Sequence, residues 1–101
     1  MTQKIKISDL PDFDMAEHLP DDQSVAEYLT LVLEEGDPSE LPHALGVIAR
    51  ARGMTEIAKA SGLTREALYR ALRSDAQPRF DTVSRVCAAL GIKLVAQVAH
   101  A

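Results

Sequence analysis

The sequence predicts an all-α fold of five or so helices, closed by one short C-terminal β-strand. Three observations carry this. From Ser24 to Leu90 the apolar residues recur at spacings of three and four, the period of a helix that buries one face. Glycines stand where the periodic segments stop, at Gly36, Gly53, Gly62 and Gly91. The chain is 47 % hydrophobic yet holds only two Phe, two Tyr and no Trp, so its core is aliphatic, as packed helices favour. With 101 residues, it has room for one modest core.

Taken in order, Ile5 and Ile7 alternate with Lys4 and Lys6 as in a short strand, which Pro11 limits. Asp14 is placed to cap a short helix through Leu19, ended by Pro20. Ser24 reads as an N-cap with Glu27 at N3 of a capping box. Val25, Tyr28, Leu29, Val32 and Leu33 then trace one helical face, and Gly36-Asp37-Pro38 stops it. Ser39 starts a helix whose successive face positions are Leu41, Leu45, Ile48 and Arg52, capped by Gly53. Helices follow at about 55–61, 64–73 and 80–90, the last carrying Phe80, Val83, Val86, Cys87 and Leu90 inward. After Gly91, residues 92–98 read as a strand. A lone strand leaves its backbone groups unpaired, so it calls for a partner in residues 5–7 or in a second subunit.

Charge is divided along the chain. Residues 1–40 hold two Lys against eleven Asp and Glu, a net −9. Residues 41–101 hold nine Lys and Arg against four Asp and Glu, a net +5, which together give the −4 of the whole. An acidic front and a basic back suggest two different partners. The division expected is an acidic segment, 1–38, and a basic domain, 39–101, ending in a dimerisation strand.

Residues 55–73 carry the strongest local signal. Two short helices that cross steeply need a small residue where they touch, a residue tolerant of positive φ at the turn, and an apolar anchor in the second helix. Ala58, Gly62 and Leu68 fit these needs, with Ile57, Leu63 and Leu72 completing the buried set. Thr64 is placed to cap the second helix. This is the pattern of a helix-turn-helix. Its second helix would present Arg65, Glu66, Tyr69 and Arg70 outward, and these are assigned to base edges in the major groove of operator DNA. Thr55, Lys59, Thr64, Arg73 and Arg79 are assigned to phosphates. In a two-fold dimer the two reading helices would lie about 34–36 Å apart.

With these residues in view, the chain resembles the helix-turn-helix antitoxins of type II toxin–antitoxin modules, the HigA-like addiction-module antidotes. The likeness rests on Asp14-Met15-Ala16-Glu17-His18-Leu19, on Glu35-Gly36-Asp37-Pro38 leading into Leu45–Met54, on Gly62–Leu72, and on Phe80-Asp81-Thr82-Val83 and Leu90–Leu94. It covers roughly residues 10–95. The helix-turn-helix part is shared with lambda-like phage repressors. The resemblance implies an antitoxin that binds a small basic toxin of the RelE or HigB kind, represses its own operon, and acts as a homodimer. On that view Glu17, Asp21, Asp22, Glu27, Glu34 and Glu35 face the toxin, since an acidic surface is steered to a basic one. The alternative is a phage-type repressor with no toxin. A third reading, from another class, is a protein-interaction module that has kept the fold and lost DNA binding.

Other chemistry finds little footing. His18, His43 and His100 are far apart and one cysteine is present, so no metal or cofactor is expected. Cys87 lies on an apolar helix face and reads as core. There is no Gly-rich phosphate loop, and no residue set suggests an enzyme's cleft. No apolar run reaches the roughly 18 residues of a membrane span. Met1–Ile5 lacks a signal peptide's apolar stretch, and the cytoplasm is the expected compartment.

Overall fold

The computed structural model describes Leu19 and residues 21–99. Within these residues five α-helices follow one another: α1 (Asp22–Glu35), α2 (Leu41–Arg52), α3 (Met54–Ser61), α4 (Arg65–Ala71) and α5 (Phe80–Ala89). A 3-10 turn, Pro38–Glu40, joins α1 to α2. The all-α expectation is met. The proposed strand at residues 5–7 and most of the helix from Asp14 to Leu19 lie outside the described residues.

The cap of helix α1 lies three residues before the expected one. Asp21, not Ser24, is the N-cap: its Oδ1 accepts from the Ser24 N–H and from the Ser24 hydroxyl, both at 2.8 Å. Ser24 and Glu27 have a capping box's spacing, but a carboxylate three residues upstream is also a strong acceptor for first-turn amides. Glu27 instead accepts from the Gln23 side chain at 3.2 Å. Val25, Tyr28 and Leu29 are buried as expected, while Leu33 is half exposed.

Helix α2 is the centre of the molecule. Its run from Ala44 to Ala49 is buried on every side, under α1 and the 3-10 turn and against α3 and α5. A single residue, Gly53, separates α2 from α3. Its φ of +105° lets the chain turn at once, and few L side chains adopt that value. The Gly53 N–H closes α2 on the Ala49 carbonyl at 2.8 Å, and its own carbonyl receives Ile57 N–H at 3.1 Å. Helix α3 then packs on α2, α4 and α5.

The core runs through all five helices. Leu45, Ile48, Leu68, Val86 and Cys87 are within 2 % of complete burial. Helical spacing puts Phe80 among them, but it is 73 % exposed. It is the first residue of α5, and the inward face begins only at Val83.

The C-terminal strand is not present. Residues 92–99 take no regular structure, and no strand occurs among the described residues. Helix α5 ends with the Gly91 N–H on Ala88 carbonyl at 3.0 Å and the Ile92 N–H on Cys87 carbonyl at 2.8 Å, the paired bonds of a helix terminated by a left-handed glycine. Ile92 packs against the core. Beyond it, Leu94, Val95 and Val98 stand exposed. β-branched residues favour extended backbone, but a strand also needs a neighbour for its ladder, and the described residues offer none.

Candidate nucleic-acid interface

Helices α3 and α4 are joined by Gly62, Leu63 and Thr64. Gly62 has φ +76°, the left-handed conformation this turn demands. Its N–H reaches the Lys59 carbonyl at 3.3 Å, and the Leu63 N–H reaches the Ala58 carbonyl at 3.1 Å. Thr64 is extended and its hydroxyl accepts from Ala67 N–H at 3.0 Å, so α4 has the expected cap. That bond uses the oxygen only, leaving the hydroxyl proton for an outside acceptor. Ile57, Ala58, Leu68 and Leu72 are buried and Leu63 is half-buried, in keeping with the spacing.

Leu68 points wholly inward and Ala71 packs on the core beside it, so the opposite side of α4 turns outward. Arg65, Glu66, Tyr69 and Arg70 are all exposed. The Arg65 guanidinium donates to the Tyr69 hydroxyl at 3.2 Å and lies 5.5 Å from the ring centroid. Arg70 borders an open hollow of about 450 Å³ together with Arg73, Gln77 and Arg79. Arg73 pairs with Asp75 at 3.6 Å. Arg79 is the residue before α5, and its donor-only side chain cannot cap the N–H groups of that helix. Thr55 is exposed in the first turn of α3 and Lys59 in its last.

The arrangement places Arg65, Tyr69 and Arg70 on one short helix and gathers Arg70, Arg73 and Arg79 around one hollow. A further cation, absent from the sequence-derived set, stands nearby. Arg85, on α5, holds Asp81 at 3.2 Å, and its Nη1 lies 3.5 Å from where a side-chain carbon on Gly62 would stand. It therefore covers the α3–α4 turn. Only the packing of α5 on α3 brings it there, and no sequence spacing signals that.

Asp21, Asp22, Glu27, Glu34 and Glu35 are all exposed, but they differ in what they bond within the chain. Glu17 lies outside the described residues. Asp21 is the α1 cap, and the hydrogen bonds from Ser24, aided by Arg52, hold its carboxyl below the usual range. Asp22 pairs with Arg52 at 3.1 Å. Glu34 and Glu35 are exposed at the end of α1, beside exposed Leu31 and Leu33 and with no basic residue in that turn. Negative charge at a helix C-terminus opposes the helix dipole, so Glu34 and Glu35 are not there for the stability of α1.

Among the described residues no helix is long and apolar enough to cross a membrane, and no group of His, Cys, Asp and Glu is gathered to hold a metal ion. Burial raises the Cys87 thiol above its ordinary value, which keeps it protonated in the core.

Residues 9–98 match a family described as "Probable addiction module antidote protein". A protein of Haemophilus influenzae, named only as an uncharacterized protein, is 41 % identical over 97 residues, covering 96 % of this chain and 95 % of the relative. No solved structure matches. By the extent of the family match and the full-length similarity to this relative, the chain belongs to the addiction-module antidote family.

Proposed function

We propose that this antidote neutralises a small basic toxin by direct binding and represses its own operon by sequence-specific DNA binding. It acts as a binding protein rather than an enzyme, in the cytoplasm, as a HigA-like homodimer. The observation that carries the DNA half is the outer face of α4: Leu68 is fully buried, and this aims Arg65, Glu66, Tyr69 and Arg70 at solvent from a capped helix that follows a left-handed glycine turn. In this reading α3, the turn and α4 form a lambda-repressor-like helix-turn-helix. Arg65, Glu66 and Arg70 read base edges, while Thr55, Lys59, Thr64, Arg73 and Arg79 contact phosphates. Segment 92–98, exposed beyond Ile92, and the neighbouring α5 surface form the subunit contact. The test is a gel shift at fixed salt on the duplex upstream of the protein's own gene. Replacing both Arg65 and Arg70 by Ala should abolish specific binding, and unchanged affinity would refute the assignment.

For the toxin half, the supporting feature is the acidic end of α1 with its exposed leucines. The partner is the small basic protein encoded beside this gene. Because α1 supplies Val25, Tyr28 and Leu29 to the common core, deleting it would disturb the whole fold. Charge reversal at Glu27, Glu34 and Glu35 tests the surface instead. Co-purification with that neighbour should disappear in the triple Lys variant, and retention would move the binding surface elsewhere.

A further inference from the structure

Arg65 occupies the first position of α4, where its positive charge meets the positive end of the helix dipole. An arginine there is poorly placed for helix stability and, if unrestrained, free to sample many rotamers. Tyr69 lies one turn further on. Long side chains on a helix lean toward its N-terminus, so the Tyr69 ring covers the turn before it, where Arg65 sits. The outcome is a doubly held guanidinium, with its Nη2 bonded to the Tyr69 hydroxyl at 3.2 Å and its carbon 5.5 Å from the ring centroid. Both side chains are on the surface, and Tyr69 is 40 % exposed.

We propose that Tyr69 is a positioning residue, holding the Arg65 guanidinium at one place on the outer face of α4 so that it meets a base edge already ordered. This rests on the DNA reading above and replaces direct base contact as Tyr69's role there. Ordering a flexible side chain before association removes part of the cost of ordering it during association. Arg suits this use because its planar group stacks on an aromatic face while its remaining N–H groups stay directed outward.

Two measurements test it on the full chain. The first uses the upstream duplex at fixed salt, with Tyr69→Phe, Tyr69→Ala, Arg65→Ala and the double Ala variant. Tyr69→Ala should weaken binding about two- to fivefold, the scale of an exposed cation–π interaction, and Tyr69→Phe should recover most of that loss. The salt dependence should not change in either, because no charge is removed. In the Arg65→Ala background, Tyr69→Ala should cost nothing more. An equal loss in that background means that Tyr69 touches DNA itself, and overturns the proposal. The second measurement needs no DNA: ¹⁵N relaxation at the Arg65 side-chain Nε. Its order should fall in Tyr69→Ala and return in Tyr69→Phe. Unchanged order in Tyr69→Ala overturns the positioning role, whereas failure of the wild-type chain to bind the duplex overturns only the DNA reading.

Discussion

A methyl group on residue 46 would stand 2.9 Å from the Leu72 carbonyl oxygen and 3.2 Å from the Arg50 guanidinium. Gly46 lies inside α2, where glycine ordinarily costs about 0.5–1 kcal/mol against alanine. Here the close approach of α2 to the end of α4 reverses that preference, because the obstacle is backbone and cannot swing aside. Gly46→Ala should therefore destabilise the chain, by about 1–3 kcal/mol in urea denaturation. A stabilised variant would show that the two helices can separate without cost. Asp21 makes the second residue-scale prediction. Its folded carboxyl titrates below the ordinary 3.8 because Ser24 bonds to the charged form. Its contribution is thus full above 3.8 and disappears as pH falls through the lowered value. Asp37, bonded by the Ser39 N–H, behaves in the same direction. Unfolding midpoints followed from about pH 7 to about pH 2 should fall in acid, and Asp21→Asn should show a shallower fall. Equal curves for the two proteins would remove Asp21 as a source of the acid sensitivity.

At the scale of elements, α4 is held by one cap and one anchor, and its first residue works against it. Thr64→Ala removes the bond to Ala67 and should cost about 1 kcal/mol. Leu68→Ala empties a fully buried site and should cost about 2–5 kcal/mol. Arg65→Glu should behave oppositely: a negative charge suits the helix start, so the thermal midpoint should hold or rise while DNA binding disappears. A clear fall in the midpoint would mean that Arg65 supports the fold. These elements are legible in the sequence to different degrees. The helices from Leu41 onward declare themselves by period, and all but α4 also by a terminal glycine, since burial and backbone geometry act locally there. The α1 cap is ambiguous because Asp21 and Ser24 both satisfy the chemistry of an N-cap, and only the fold chooses Asp21. Phe80 misleads because helical spacing gives a face but not how far the core extends along it. Segment 92–98 has strand composition, yet propensity does not supply a partner. Of the candidate interface, the turn and the outward residues of α4 can be read from spacing, whereas the Arg65–Tyr69 pair depends on rotamers and Arg85 on tertiary packing.

At the scale of the whole molecule, opposite charges are carried by different helices of one core. The Glu27, Glu34 and Glu35 carboxylates lie on α1, and the arginines of α4 and the following loop gather around one hollow. Neither set can be cut away without opening the core that both share. The basic set should show itself through salt. For a protein that neutralises phosphates, removing one cation from the DNA surface reduces the slope of log affinity against log salt by about 0.9. Arg79→Ala should lower the slope by about that much on any duplex, with base preference unchanged. A changed preference at constant slope would make Arg79 a base reader.

The exposed segment after Ile92 has a consequence for the chain's lifetime. Residues 93–99 are ordered by no backbone hydrogen bond among the described residues, and Val95 and Val98 are 70 % and 95 % exposed. A protease takes its substrate as an extended strand and need not wait for the core to open before gripping such a stretch. Cleavage there leaves five helices standing and removes the apolar end, so loss of this end should be gated by whatever occupies it rather than by the stability of the fold.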